Sequence, residues 1–326
     1  MLAAMHPSRR SLLAASAGLL LPGWGLAQAL PSRPIRIVVP FGPGGIADLT
    51  ARTVAQKLSD NLKQAVVIEN RPGAGGVVAG SLVAKAAPDG STLFLMSNGT
   101  AVSEGLFQSL PFDARKDFAP VGVLGFFDLA VLTTAESRFR TMQELLAFAK
   151  ANPGKLNVAT INVGSTQHLA AELLKTSAGV DMQVVPFNGS PAVLTALRGG
   201  QVDAAVEILG PMLPQVSAGA VRALAVMGAR RAAALPDVPT LVESGVRGFD
   251  VASWNALAAP AGTPATVIAT LNAEVNKVLA DAGVRKQLAD LNVTPRPGTP
   301  QQLRELLDSE IRRWTGVIVR AGVPRQ

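Results

Sequence analysis

Ile35-Arg36-Ile37-Val38-Val39-Pro40-Phe41-Gly42-Pro43-Gly44-Gly45-Ile46-Ala47-Asp48-Leu49-Thr50 is the stretch on which the fold turns. It reads as a hydrophobic strand ending at Val38 and Val39, a glycine-rich loop, and a helix starting near Ala47. Gly42, Gly44 and Gly45 can take backbone angles denied to other residues, so their N–H groups can converge on one point. The helix start adds unsatisfied amides and the positive end of its dipole. Such a device holds an anion without a charged side chain. The same pattern also occurs as an ordinary strand-to-helix turn in α/β proteins.

Outward from this stretch, the first 29 residues read as an export signal. Arg9 and Arg10 precede a short apolar run, Leu12 to Leu21, and Ala27-Gln28-Ala29 resembles a small-x-small cleavage site. Pro22 and Gly23 break the run before it could span a bilayer. Ser8-Arg9-Arg10-Ser11-Leu12-Leu13 also fits a twin-arginine signal loosely, leaving the export route open. The expected location is the periplasm. The whole chain carries 30 basic and 23 acidic residues, formally +7; removing Met1 to Ala29 takes Arg9 and Arg10 and leaves formally +5. No basic run is interleaved with aromatics, so no nucleic-acid partner is expected. The absence of cysteine excludes disulfides, thiolate nucleophiles and cysteine metal sites. His168 is the one histidine left after signal removal, so a histidine-rich metal site is excluded as well. No cofactor or metal is expected.

Strand-like and helix-like segments alternate along the rest of the chain, which implies parallel βαβ units. Ala51, Ala55, Leu58 and Leu62 repeat at helical spacing after the first loop. Val121 to Leu124 and Leu129 to Thr133 read as two strands. Thr141-Met142-Gln143-Glu144 is a capping box. Ser190-Pro191 reads as N-cap and first helical residue. Strand, small-residue loop and helix recur once in each half: Gly42 to Asp48, then Gly164 to His168. Two such loops facing each other across a cleft would clamp one anion from both sides. Length and the absence of disulfides suit a core divided between two lobes.

The chain also resembles the Bug-type, tripartite tricarboxylate transporter substrate-binding family, over nearly its whole mature length. The residues that carry this are Val39-Pro40-Phe41-Gly42-Pro43-Gly44-Gly45 with Asp48-Leu49-Thr50-Ala51-Arg52, and Val67-Ile68-Glu69-Asn70-Arg71-Pro72-Gly73-Ala74-Gly75-Gly76. Lys116-Asp117-Phe118-Ala119-Pro120-Val121, Ala149 to Leu156, His168-Leu169-Ala170, Gly199-Gly200-Gln201-Val202-Asp203 and Leu235-Pro236-Asp237-Val238-Pro239-Thr240 agree with it. The resemblance implies an α/β, two-lobed, flytrap-like (type II) periplasmic binding fold with a mainly parallel sheet in each lobe and two crossings. Lobe 1 is expected over 30–125 and 228–326, and lobe 2 over 126–227. It implies a monomeric binding protein, not an enzyme, that holds a small carboxylate between the lobes through backbone amides and water. Membrane permease subunits or a sensor ectodomain are the implied partners.

The chain departs from the family's pattern at Phe187, where tyrosine is common, and at Asn188, where lysine is frequent. Glu207 stands where a shorter acidic or polar residue is usual. A more apolar pocket with less positive charge follows. The candidate ligand-binding set is Phe41, Gly44, Gly45, Asp48, Ser97, Asn98, Thr100, Gly164, Ser165, Thr166, His168, Phe187, Asn188 and Glu207. Several have a structural alternative. Asp48 suits helix capping and pairing with Arg52. Ser165 and Thr166 could cap their helix, and His168 has no partners for a catalytic triad. Glu207 follows an apolar run and is either a solvated strand-end residue or a buried partner for a ligand ammonium. Trp254 suits packing beneath the cleft. Gly73-Ala74-Gly75-Gly76 loosely resembles a dinucleotide loop and motivates an enzyme alternative, but no acidic partner residue is evident.

Overall fold

The computed structural model describes residues 30–326, so the export segment expected at Met1 to Ala29 lies outside the described residues. β1 (Ile35–Val39) pairs in parallel with β2 (Val66–Asn70) and β3 (Thr92–Ser97). Parallel neighbours need crossover connections, which α1 (Ile46–Leu62) and α2 (Val77–Ala84) supply. α3 (Asn98–Leu106) leaves β3 directly.

β4 (Phe118–Thr134) is one continuous strand where the sequence suggests two. Gly122 lies inside the first of the two expected strands and Gly125 between them; both are irregularities within one strand, with register shifts at Pro120/Gly122 and Val123/Gly125. A Cβ on Gly125 would lie 2.8 Å from the Thr294 carbonyl, so a glycine there lets a neighbouring strand approach.

The second half contains α4 (Met142–Ala151), β5 (Asn157–Ile161), α5 (Thr166–Ala178), β6 (Gln183–Phe187), α6 (Ser190–Arg198), β7 (Ala204–Ile208), α7 (Leu209–Ser217) and β8 (Val221–Val226). β5 pairs in parallel with β6 and β7. β9 (Ala252–Pro260) then returns between β3 and β4, antiparallel to both. α8 (Ala265–Ala280), α9 (Ala282–Asp290), β10 (Val293–Pro295) and α10 (Pro300–Ala321) complete the described chain. β4 pairs with β9 and β10 up to Asp128, and with β7 and β8 from Leu129 onward. One strand therefore runs through both lobes of a two-lobed α/β fold. The sheet is more mixed than expected: parallel pairing is confined to β2-β1-β3 and β7-β5-β6, and every pair made by β4 or β9 is antiparallel.

The segment between β8 and β9 stays with the second half. Thr240 bridges Val226, and the Leu241 amide donates to the Val226 carbonyl at 2.9 Å. Buried Leu303, Leu307, Ile311, Trp314 and Ile318 form an apolar stripe on α10 at helical spacing. That stripe joins a core containing Phe94 and Trp254 from one half and Leu169, Leu174 and Val206 from the other. No described helix is long and apolar enough to cross a membrane.

Candidate functional site

The two loops singled out in the sequence have the same local geometry. Gly44 takes φ +82° and Gly164 φ +80°, angles that favour glycine. Each glycine N–H donates to the side chain four residues on: Gly44 to Asp48 Oδ2 at 2.8 Å, Gly164 to His168 Nδ1 at 3.5 Å. The next residue in each loop, Gly45 or Ser165, is an extended N-cap. The amides of Gly45, Ile46 and Ala47 fall in the first turn of α1, where no intrahelical acceptor exists. Thr166 and Gln167 occupy the same place in α5. All five residues line one cleft of about 930 Å³.

Other helix starts open on this cleft. Gly76 caps α2, Ser97 caps α3, Asn188 and Ser190 flank the start of α6, and Ile208 caps α7; all line it. Among the described residues, none with a charged side chain does so. Phe41, Phe107, Phe127 and Phe187 supply apolar wall. The cleft therefore offers dipoles and N–H donors over an aromatic lining, and anion attraction must come from the backbone.

Of the candidate residues, Phe41, Gly45, Ser97, Gly164, Ser165, Thr166, Phe187 and Asn188 line the cleft, whereas Gly44, Asp48, Asn98, Thr100, His168 and Glu207 stand behind its wall. Gly44 and Asp48 brace the loop. Asp48 Oδ2 also accepts from Arg52 Nε at 2.9 Å, and Oδ1 accepts from Asn70 Nδ2 at 2.9 Å. Burial pushes the Asp48 carboxyl up, but hydrogen bonds from Arg52, Gly44 and Asn70 outweigh it and hold it below its ordinary value. His168 is pushed down by burial and stays neutral, which its role as acceptor requires.

Asn98 and Thr100, expected as donors to ligand, are committed elsewhere. Asn98 is fully buried. Its Nδ2 donates to Thr166 Oγ1 at 3.0 Å, and its Oδ1 accepts from Trp314 Nε1 at 2.7 Å, tying α3, α5 and α10 together. Thr100 Oγ1 accepts from the Ser97 amide at 3.2 Å, completing the cap of α3.

Glu207 is not a solvated strand end: it is 1% exposed. Its Oε2 accepts from Gln167 Nε2 at 3.2 Å, Ser190 Oγ at 3.0 Å and the Ile208 amide at 3.3 Å, three residues that line the cleft. Oε1 is buried without a partner. Burial pushes the carboxyl above its ordinary value, against the pull of those donors. Ser190 is the first residue of α6 and not its cap, because Gly189 at φ +87° precedes it. The serine hydroxyl is thereby free for Glu207.

Sequence reasoning missed Ser253 and Asn255 on β9. Both line the cleft, while Trp254 between them is buried in the core as its bulk suggests. Asn255 is 1% exposed, and neither its Nδ2 nor its Oδ1 has a partner. A buried amide so placed calls for a partner outside the protein's own hydrogen bonds. The polar-apolar-polar alternation Ser253-Trp254-Asn255 was the available signal. Gly73, Gly75 and Gly76, noted in the sequence as a dinucleotide-like loop, line the cleft as well.

A family model described as tripartite tricarboxylate transporter family receptor matches residues 50–323. The chain is 40% identical over 293 residues to the UPF0065 protein in the tcbD-tcbE intergenic region of Pseudomonas sp. (strain P51), across 90% of this chain and 87% of that one. It is 37% identical over 310 residues to protein BugT of Bordetella pertussis, across 94% of each. The R. palustris Rpa4515 structure with adipate matches at TM-score 0.82 and 34% identity, covering 90% of this chain and 99% of that one. MatC from Rhodopseudomonas palustris with bound malate matches at TM-score 0.77 and 37% identity, covering 88% and 99%. The periplasmic binding protein BugD matches at TM-score 0.79 and 30% identity, covering 91% and 100%. The family is one of receptors, BugD is a periplasmic binding protein, and the chain belongs to the tripartite tricarboxylate transporter receptor family.

Proposed function

We propose that this protein is an exported, monomeric receptor that captures one small carboxylate between its lobes and hands it to permease subunits of a tripartite transporter. The observation that carries this reading is the matched pair of glycine loops, Gly42–Asp48 and Gly164–His168, opening on one cleft without a charged side chain among its described lining residues. A carboxylate spanning the first turns of α1 and α5 would meet N–H donors from both lobes. Asn255 and Ser253 would meet its remaining polar atoms, and Phe41 and Phe187 its carbon skeleton. Adipate and malate, each present in one of two similar structures, support the chemical class.

We place lobe 1 at 30–128 and 252–326 and lobe 2 at 129–251, because the pairings of β4 change at Asp128/Leu129 and the Thr240 segment hydrogen-bonds with β8. This extends the second lobe beyond the 227 boundary expected from sequence. The periplasm is the compartment that suits the export signal and the relatives.

A thermal-shift screen of mono-, di- and tricarboxylates, aromatic acids and amino acids tests the reading. A ligand at 100 times its Kd adds about 2.7 kcal/mol of apparent stability, a readable rise in Tm. At least one carboxylate is expected to raise Tm; no shift across all these classes contradicts the assignment.

A further inference from the structure

Resting on the carboxylate reading above, a narrower conclusion concerns how much negative charge the cleft accepts. Of the two acidic candidates behind its wall, Asp48 is paired with Arg52, whereas Glu207 has no cationic partner and stands one hydrogen bond from Gln167, Ser190 and Ile208, all of which line it. One ligand carboxylate has the opposed first turns of α1 and α5 to offset its charge. A second would find only neutral amides and hydroxyls, with Glu207 at their back and no cationic side chain among the described lining residues. Two ligand charges and an ionised Glu207 would then share one poorly solvated region, where like charges repel strongly.

The orphaned oxygen is consistent with this. Three donors converge on Oε2, while Oε1 is buried without any. A proton on Oε1 would remove the uncompensated charge and leave the three donors in place. Other titratable groups on the elements around β7 are His168, Glu172 and Lys175 on α5, Arg198 on α6 and Asp128 on β4, with none on α7 or β5. None of these bears on the Glu207 carboxyl, whose causes are burial, then Gln167, Ser190 and the Ile208 amide.

We propose that Glu207 limits the charge this cleft accepts: a monocarboxylate binds whether or not Glu207 is protonated, and a dicarboxylate binds only when Glu207 carries a proton, taken up on binding wherever the free carboxyl is ionised. The ligand class favoured once Glu207 is ionised is then a carboxylate with a single negative charge and an apolar or hydroxylated body.

Isothermal titration of the full protein with two matched pairs, pentanoate against glutarate and benzoate against isophthalate, tests this between pH 7 and 9. All four acids are ionised there, and His168, held below its ordinary value, does not titrate. Monocarboxylate affinity should vary less than about twofold, while dicarboxylate affinity should fall about tenfold per pH unit once Glu207 ionises. Repeating the titration in two buffers of different ionisation enthalpy, at a pH where the slope is present, should show one proton taken up with the dicarboxylate and none with the monocarboxylate. Glu207→Gln should abolish the dicarboxylate slope. The buffer comparison uses wild-type protein alone and stands even if that variant does not fold. Dicarboxylate binding without a slope or proton uptake would overturn this inference and leave the carboxylate reading intact. Failure of all four acids to bind would overturn both.

Discussion

The loop at Gly42–Asp48 and the loop at Gly164–His168 share a backbone and differ in what stands beneath them. The first is braced by a charged carboxylate held by Arg52 and Asn70. The second is braced by a neutral imidazole whose longer hydrogen bond, 3.5 Å, depends on its staying unprotonated. Their surroundings differ as well. A Cβ on Gly44 would meet nothing within 4 Å, whereas one on Gly164 would lie 2.2 Å from Leu106 Cδ2. Leu106 ends α3. The first loop is thus a self-contained cradle, and the second is packed against the opposite lobe. The same loop geometry can be built with independent local support or made to depend on how the lobes meet.

The largest expected effect separates the loops by this crowding. Gly164→Ala should cost about 3 kcal/mol or more in denaturant unfolding, from overpacking added to the strained φ, whereas Gly44→Ala should cost only about 1 kcal/mol. Equal costs would mean that α3 gives way and the asymmetry is not real.

Next comes the brace of the first loop. Asp48→Asn should lose about 1–2 kcal/mol near pH 7, because hydrogen bonds to an ionised carboxylate are lost. Because the Asp48 pKa is lowered in the folded state, its contribution is present above the ordinary value of 3.8 and is lost as pH falls through the folded value. A variant as stable as wild type at pH 7 would show that Arg52 and Asn70 do not need the charge.

A smaller loss of stability belongs to His168. Its pKa is also lowered, so the contribution is present above 6.5 and is lost as pH falls below that value toward the folded one. His168→Gln should flatten the fall in Tm between pH 7.5 and 5 by an amount worth about 1 kcal/mol or less. An identical pH profile in both proteins would remove the imidazole from the account.

Asn255 sharpens the comparison from the binding side. Since neither amide atom has a partner, Asn255→Leu should leave stability unchanged or slightly higher, yet weaken a bound carboxylate about tenfold. A large loss of stability with unchanged affinity would make Asn255 a structural group.

Both loops were legible in the sequence because glycine, small polar residue and helix start are adjacent in the chain, and adjacency survives folding. What was not legible was which side of each helix start would face the cleft. Ser97 and Asn98 are neighbours, but Ser97 lines the cleft while Asn98 turns inward to Trp314, 216 residues away. The continuity of β4 through Gly125 was not legible either, since sequence pattern does not show that β10 would approach so closely there. Asn255 was passed over because its importance comes from two atoms left without partners, a property of the assembled cleft and not of its neighbours in the chain. Glu207 was open between solvent and burial until β7 was seen to end beneath Gln167 and Ser190.

The central claim is that the first turn of α1 holds the ligand. Gly45 is the position to test: its φ of −78° suits any residue, and a Cβ would meet only the Gly42 carbonyl oxygen at 3.9 Å. Gly45→Val should therefore fold with a Tm close to wild type while placing a branched side chain where the carboxylate sits. Titration with a carboxylate that stabilises wild type should show affinity reduced at least about a hundredfold, or about 2.7 kcal/mol. Unchanged affinity in a folded variant would remove this loop from the site and contradict the account.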